Sequence, residues 1–222
     1  MIVTIHQPVF APWPAFFAKM KAADLFVFLD TASYKKGGYH NRNRIVDAPR
    51  NRARWLTVPI QKCPLGTALA DVEIAHKRWK GSLWRKIADA YDRHPYWALY
   101  RDELHDVVFA PHERLVSLNF TVIGTLARWL GVDTPFVFAS NIEAAGSATE
   151  RLVSICQEVG ADAYLAGAAA GDYLDESLFE AACIHVDHFE YEPPVYTSPC
   201  YVPGLSALDL LMSCGPLAKD AI

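Results

Sequence analysis

The sequence predicts an α/β protein, a mostly parallel sheet interrupted by a central, mainly helical insertion. Three observations carry that prediction. The chain opens with two short apolar, β-branched runs joined by a helical segment, which is a parallel βαβ unit. A basic and helical block follows, and the second half then alternates helix and strand signals to its end.

The first run is Ile2 to Ile5 and the second Leu25 to Leu29. Between them Trp13, Phe16, Phe17, Met20 and Ala23 recur at helical spacing on one face, with Pro12 and Pro14 in the first turn and Lys19 and Lys21 directed elsewhere. Gly37-Gly38 marks a turn, and alternation in Asn41-Arg42-Asn43-Arg44-Ile45 sets Asn41, Asn43 and Ile45 on one face and both arginines on the other if that stretch is extended. Trp55 to Ile60 reads as a buried strand and Asp71 to Ile74 as a short one. Helical periodicity runs from Trp79 to Tyr100 with a stop at His94-Pro95, continues over Leu104 to Phe109, and returns in a long amphipathic helix, Glu113 to Leu130, ended by Gly131.

Pro135 to Ala139 is the next strand. Ser147 and Glu150 have capping-box spacing at the head of a helix over Ala148 to Val159, closed by Gly160. Asp162 to Ala166 is a strand, Gly167 to Tyr173 a small-residue loop entering another helix, and Ile184 to Phe189 an edge strand by its alternation. Leu205 to Ser213 is a short apolar helix. The order describes a Rossmann-like sheet in one domain over residues 1–222, with the insertion at about 31–110.

At 222 residues the chain can bury its own core. It has no apolar stretch of membrane-spanning length and no secretory signal pattern, so a cytoplasmic protein is expected. Five scattered cysteines without a C-x-x-C pair argue against a disulfide framework and a zinc site, and no metal is expected. Between Thr31 and Arg54 seven basic residues face one acid, a local +6, which leaves −10 on the rest of a chain of net charge −4. Such an island fits an anionic partner: a nucleotide, a sugar nucleotide, or the phosphates of an RNA such as tRNA.

In an open parallel sheet the residues after each strand line the ligand crevice. Those residues are His6 and Gln7 after the first strand, Asp30 after the second, and Ser140 and Asn141 after the third candidate. Lys35, Arg42 and Arg44 offer donors for phosphate. Gly167 and Gly171, in the small-residue loop, permit close backbone approach. The alternative for His6 or Asp30 is simple capping of loop backbone.

The motifs Ile5-His6-Gln7-Pro8, Pro12-Trp13, Phe28-Leu29-Asp30, Tyr34-Lys35, Asn41 to Ile45, Trp55 to Pro59, Ser147 to Leu152, Tyr164 to Gly167, Gly171 to Asp175 and Leu205 to Leu211 resemble the WbqC-like family over nearly the whole chain. Ala166 stands where that family usually has Ser, and Cys200 where it more often has a Phe-like residue. The resemblance implies an acyl or aminoacyl (glycyl in particular) transferase that forms an amide on an amino sugar or related intermediate of polysaccharide or natural-product biosynthesis. The donor would be an aminoacyl-tRNA, or an amino acid with ATP. His6 would be the general base or the group polarising the acyl carbonyl, Asp30 would orient the amine or a ribose, and Asn41 and Asn43 would donate to an oxyanion. Gln7, Trp13 and Tyr34 would touch substrate, with Asp172 and Tyr173 closing the far side. The opening unit is loosely similar to nucleotidylyltransferases as well. An ATP-dependent enzyme of that kind, or a non-catalytic binding protein of a biosynthetic complex, are the alternatives.

Overall fold

A computed structural model describes every residue except 51, 76, 77, 169, 173, 199 and 200, and leaves the side chains of Ala48 and Asp172 undescribed. The chain divides into two compact units. The first comprises Met1–Gln7, Ala18–Thr31 and Asp133–Glu192, and the second Pro8–Phe17, Ala32–Val132 and Pro193–Ile222.

The first unit holds a five-stranded, fully parallel sheet. In chain order its strands are β1 (Ile2–His6), β2 (Leu25–Phe28), β5 (Phe136–Phe138), β6 (Ala163–Ala166) and β7 (His185–His188); the numbers β3 and β4 belong to the other unit. Their spatial order is β5-β2-β1-β6-β7, so successive connections run to one side from β1 and to the other from β6. Val3, Ile5, Val27, Tyr164 and Phe179 fill its core, the last two rings stacked at 4.9 Å. Helices α5 (Ala148–Glu158) and α6 (Glu176–Ala181) add Val153, Ile155 and Phe179 to that core. The expected capping box heads α5: the Glu150 carboxylate accepts from the Ser147 N–H at 3.3 Å. Asp175, outside the expected loop, caps α6 by accepting from the Ser177 N–H. As predicted, β7 is an edge strand.

The second unit carries the antiparallel hairpin β3 (Arg42–Asp47) and β4 (Arg52–Thr57) with helices α2 (Trp79–Tyr91), α3 (Trp97–Phe109), α4 (Leu115–Trp129) and α7 (Ala207–Cys214). The helix break at His94-Pro95 and the left-handed Gly131 after α4 agree with the sequence pattern. Three expectations are corrected. The strand read as Trp55 to Ile60 runs instead from Arg52 to Thr57 and is not buried, Trp55 being 39% exposed, because among the described residues β4 has β3 as its only strand partner. The stretch Asp71 to Ile74 makes only isolated bridges, Ile60 with Ile74 and Glu73 with Arg114, next to a 3-10 turn at Leu69–Asp71.

The third correction concerns the helix α1 (Pro14–Lys21), which begins at Pro14 and leaves Trp13 just outside it. Lys19, expected on the polar face with Lys21, is buried at 5% exposure, whereas Lys21 is exposed. Helical spacing does not separate a buried from an exposed face here, because Phe16, Phe17, Ala18 and Met20 are all buried along with Lys19.

Candidate functional site

In the first unit the carboxyl end of β1 presents His6 and Gln7 to a cavity of about 470 Å³, lined also by Leu29, Ala148, Leu152 and Tyr164. The His6 ring nitrogen Nδ1 lies 2.8 Å from the Gln7 carbonyl oxygen. A carbonyl only accepts, so Nδ1 carries the proton and the lone pair of the neutral imidazole sits on Nε2. The backbone on the other side of His6 is pinned by its carbonyl, which accepts from the Leu29 N–H at 2.9 Å. Ala148, at the cavity wall, holds a left-handed φ of 47°, a strained conformation for a residue with a side chain.

Asp30 is buried and spent on the neighbouring strand end. Its Oδ1 accepts from the Ser140 N–H at 2.9 Å and its Oδ2 from the Ser140 hydroxyl at 2.7 Å. The carboxylate thus acts as a latch between the segments after β2 and β5, a pairing that the sequence did not announce. Asn141 follows on the exposed side of the same turn.

Gly167 leaves the end of β6, and Gly171 lies in a 3-10 turn over Ala170–Asp172. Tyr173 and the side chain of Asp172, expected to close the pocket, lie outside the described residues. Beside Gly167 stands a residue that the sequence reading overlooked. A methyl group built on Gly167 would lie 3.6 Å from the Lys19 Nζ. Burial holds the Lys19 ammonium down at about 8, and among the described residues nothing hydrogen-bonds or ion-pairs with it. The only available signal was a lysine between Ala18 and Met20 in an apolar helix.

The remaining predicted residues belong to the second unit. Asn43 is buried in β3 between the half-buried Arg42 and Arg44, and Asn41, just ahead of the strand, is buried as well, as the alternation implied. Their amides, however, serve backbone. Asn43 Nδ2 donates to the carbonyls of Phe10 at 3.2 Å and Ala11 at 2.8 Å, holding Ala11 at a left-handed φ of 43°. Asn41 Nδ2 donates to the Val58 carbonyl at 2.8 Å, and its Oδ1 accepts from the Tyr34 hydroxyl at 3.1 Å. Both donor groups expected at an oxyanion are thus committed to loop architecture.

Arg42 donates to the carbonyls of Gly37 and Gly38 and lies over the Trp55 ring at 4.1 Å. Arg44 donates to the Gly204 carbonyl at 3.0 Å. Lys35 is exposed, while His40 beside it is pushed down to about 4, chiefly by burial, and adds no charge near neutrality. Asp47 pairs with Arg50 and Arg52, which trims the basic island. Trp13, Tyr39 and Trp55 form a row of ring contacts at 5.4 and 5.7 Å.

Among the described residues no group of three or more His, Cys, Asp or Glu side chains could hold a metal ion, and no helix is long and apolar enough to cross a membrane. Cys156 is buried and its thiol pushed up to about 12, the behaviour of a small core residue.

The chain is similar to the protein named Uncharacterized protein Rv1507c of Mycobacterium tuberculosis (strain ATCC 25618 / H37Rv), with 30% identity over 223 residues, 98% of this chain and 96% of that one. No solved structure matches it. The model of the WbqC-like protein family matches residues 7–221, from Gln7 beside the β1 histidine to the last turn, and the chain belongs to that family.

Proposed function

We propose that the protein is an acyl or aminoacyl transferase that forms an amide on an amino sugar or a related biosynthetic intermediate, working in the cytoplasm on a small polar substrate. The observation that carries this reading is His6 at the carboxyl end of β1, with Nδ1 tied to the Gln7 carbonyl and the ring on a cavity wall. Numbered by position among the parallel strands, the sheet order is 3-2-1-4-5, which supports a Rossmann-like assignment and a ligand at the reversal between β1 and β6.

The substrate amine attacks the activated acyl carbon. As the new C–N bond forms, the amine proton passes to His6 Nε2, and the carbonyl at Nδ1 stabilises the resulting imidazolium. Collapse of the tetrahedral species expels the donor's oxygen leaving group, which takes that proton back. Asp30 fixes the adjoining turn through Ser140 and does not take part in the transfer. Asn41 and Asn43 hold the loops on which Tyr34 and Trp13 stand. Within the second unit, the exposed Lys35 and the arginine-bearing hairpin suit a phosphate-bearing partner such as ATP or a tRNA.

The test is direct. Purified protein is incubated with an amino-sugar nucleotide and either glycyl-tRNA or ATP plus glycine, and the amide product is sought by mass spectrometry. Product that falls about 10²–10⁴-fold in His6→Ala is expected. No product with either donor removes the reading. The sheet order equally suits a nucleotidylyltransferase-like enzyme, which would release pyrophosphate from ATP without an acyl donor.

A further inference from the structure

The parallel register of β1 and β6 pairs Ile2 with Ala163 and Val3 with Tyr164, and the Thr4 hydroxyl donates to the Leu165 carbonyl at 2.8 Å. Continued in step, that register brings His6 level with Gly167 on the adjacent strand end, about 5 Å away by ordinary strand spacing. Lys19 reaches this same edge, its Nζ 3.6 Å from where a side chain on Gly167 would begin. The lysine is nine-tenths buried, and among the described residues no carboxylate, carbonyl or hydroxyl meets its charge.

A buried ammonium with no counter-charge is costly to fold around, and its three donors meet no acceptor among the described residues. Gly167 has no side chain of its own, so its backbone stands next to the ammonium. We propose that Lys19 and Gly167 form a subsite for a substrate oxyanion, a phosphate or carboxylate group that lies against the Gly167 backbone and supplies the charge Lys19 lacks. The group is the anchor of the molecule whose reacting centre faces His6. The inference rests on placing substrate at the carboxyl edge of β1 and β6, and not on the acyl chemistry, so each can fail alone: anion binding without acylation removes the transferase reading, and acylation without Lys19-dependent anion binding removes the subsite.

Isothermal titration of the full-length protein with inorganic phosphate, pyrophosphate and acetate, each in turn, tests the subsite and separates a phosphoryl from a carboxylate anchor. At least one of the three binds the wild type, and Lys19→Met weakens that anion by about tenfold to a hundredfold, the range for a lost charge-assisted hydrogen bond. Lys21→Met, on the exposed side of the same helix, binds as the wild type does. Gly167→Ala keeps the lysine and sets a methyl group against it, so it weakens the same anion and serves should Lys19→Met fail to fold. Equal anion affinity in wild type, Lys19→Met and Gly167→Ala, or binding of none of the three anions by the wild type, overturns the proposal.

Discussion

At the residue scale, the informative side chains are buried polar groups whose surroundings do not match their charge. Lys19 titrates near 8 in the folded chain, below the ordinary 10.5. Between those values the unfolded chain binds more protons, so stability rises with pH across that window, and the penalty is fully present below about 8. Lys19→Met should therefore raise the free energy of unfolding measured by denaturant titration at pH 7, by up to roughly 3 kcal/mol, and flatten its pH dependence from pH 8 to 10.5. Asp209 shows the opposite sign. It is fully buried, raised to about 6 mainly by burial, and accepts from the Tyr196 hydroxyl at 2.7 Å, while its other oxygen has no partner among the described residues. A carboxyl raised on folding stabilises the fold below the unfolded value near 4, and that contribution is lost as the pH passes 6. Asp209→Asn should abolish this fall between pH 4 and 6 in thermal melts and raise stability at pH 8 by roughly 1–3 kcal/mol. Asn43 illustrates how much a sequence conceals at this scale. Its inward direction followed from alternation, but the carbonyls it serves lie 32 and 33 residues away in the chain, and nothing local distinguishes a backbone clamp from an oxyanion donor. Asn43→Ala should cost about 2–4 kcal/mol in urea unfolding, because it orphans buried carbonyls and frees a left-handed Ala11.

At the element scale, local chemistry was read more faithfully than burial. The α5 cap was visible as Ser147 and Glu150 at the right separation, since a capping box depends only on neighbours in sequence. Gly146 completes that cap. It holds φ at 78°, and a side-chain carbon there would come within 2.7 Å of the Glu150 Cβ. Gly146→Ala should lower thermal stability by about 1–3 kcal/mol while Gly160→Ala, left-handed but in open space, costs less; equal losses would show that backbone conformation alone decides. Where an element's partners come from distant chain, the reading slipped. The run from Trp55 to Ile60 read as a buried strand, yet among the described residues β4 pairs only with β3 and keeps Trp55 partly in solvent under Arg42. Lys19 was missed for the same reason: a helical wheel reports one helix, not what covers it.

At the scale of the whole molecule, the alternation of helix and strand in the outer thirds of the sequence was enough to foresee five parallel strands and the long excursion between β2 and β5. The carboxyl-edge rule named His6, Gln7 and Asp30 as candidates on the reading that the opening βαβ unit sets β1 beside β2, and those two strands do pair. Legibility stopped at the division into two units, because Pro8–Phe17 and Pro193–Ile222 join the second by contacts that no composition shift announces. Within the sheet, β1 and β2 have strands on both sides while β5 and β7 have one open flank. Native-state hydrogen exchange should protect amides of Val3, Ile5 and Val27 more strongly than those of Val137 and Val186; comparable protection would mean the sheet opens as one cooperative piece. The neighbours of β1 also have very different histories during synthesis. β2 emerges about 20 residues after it, but β6 pairs Ala163 with Ile2, some 160 residues later. At roughly 5–20 residues per second a ribosome needs about 8–32 s to cover that distance. For that interval the nascent β1 edge that will bear His6 is an uncovered strand, a target for chaperones and for mispairing with other chains.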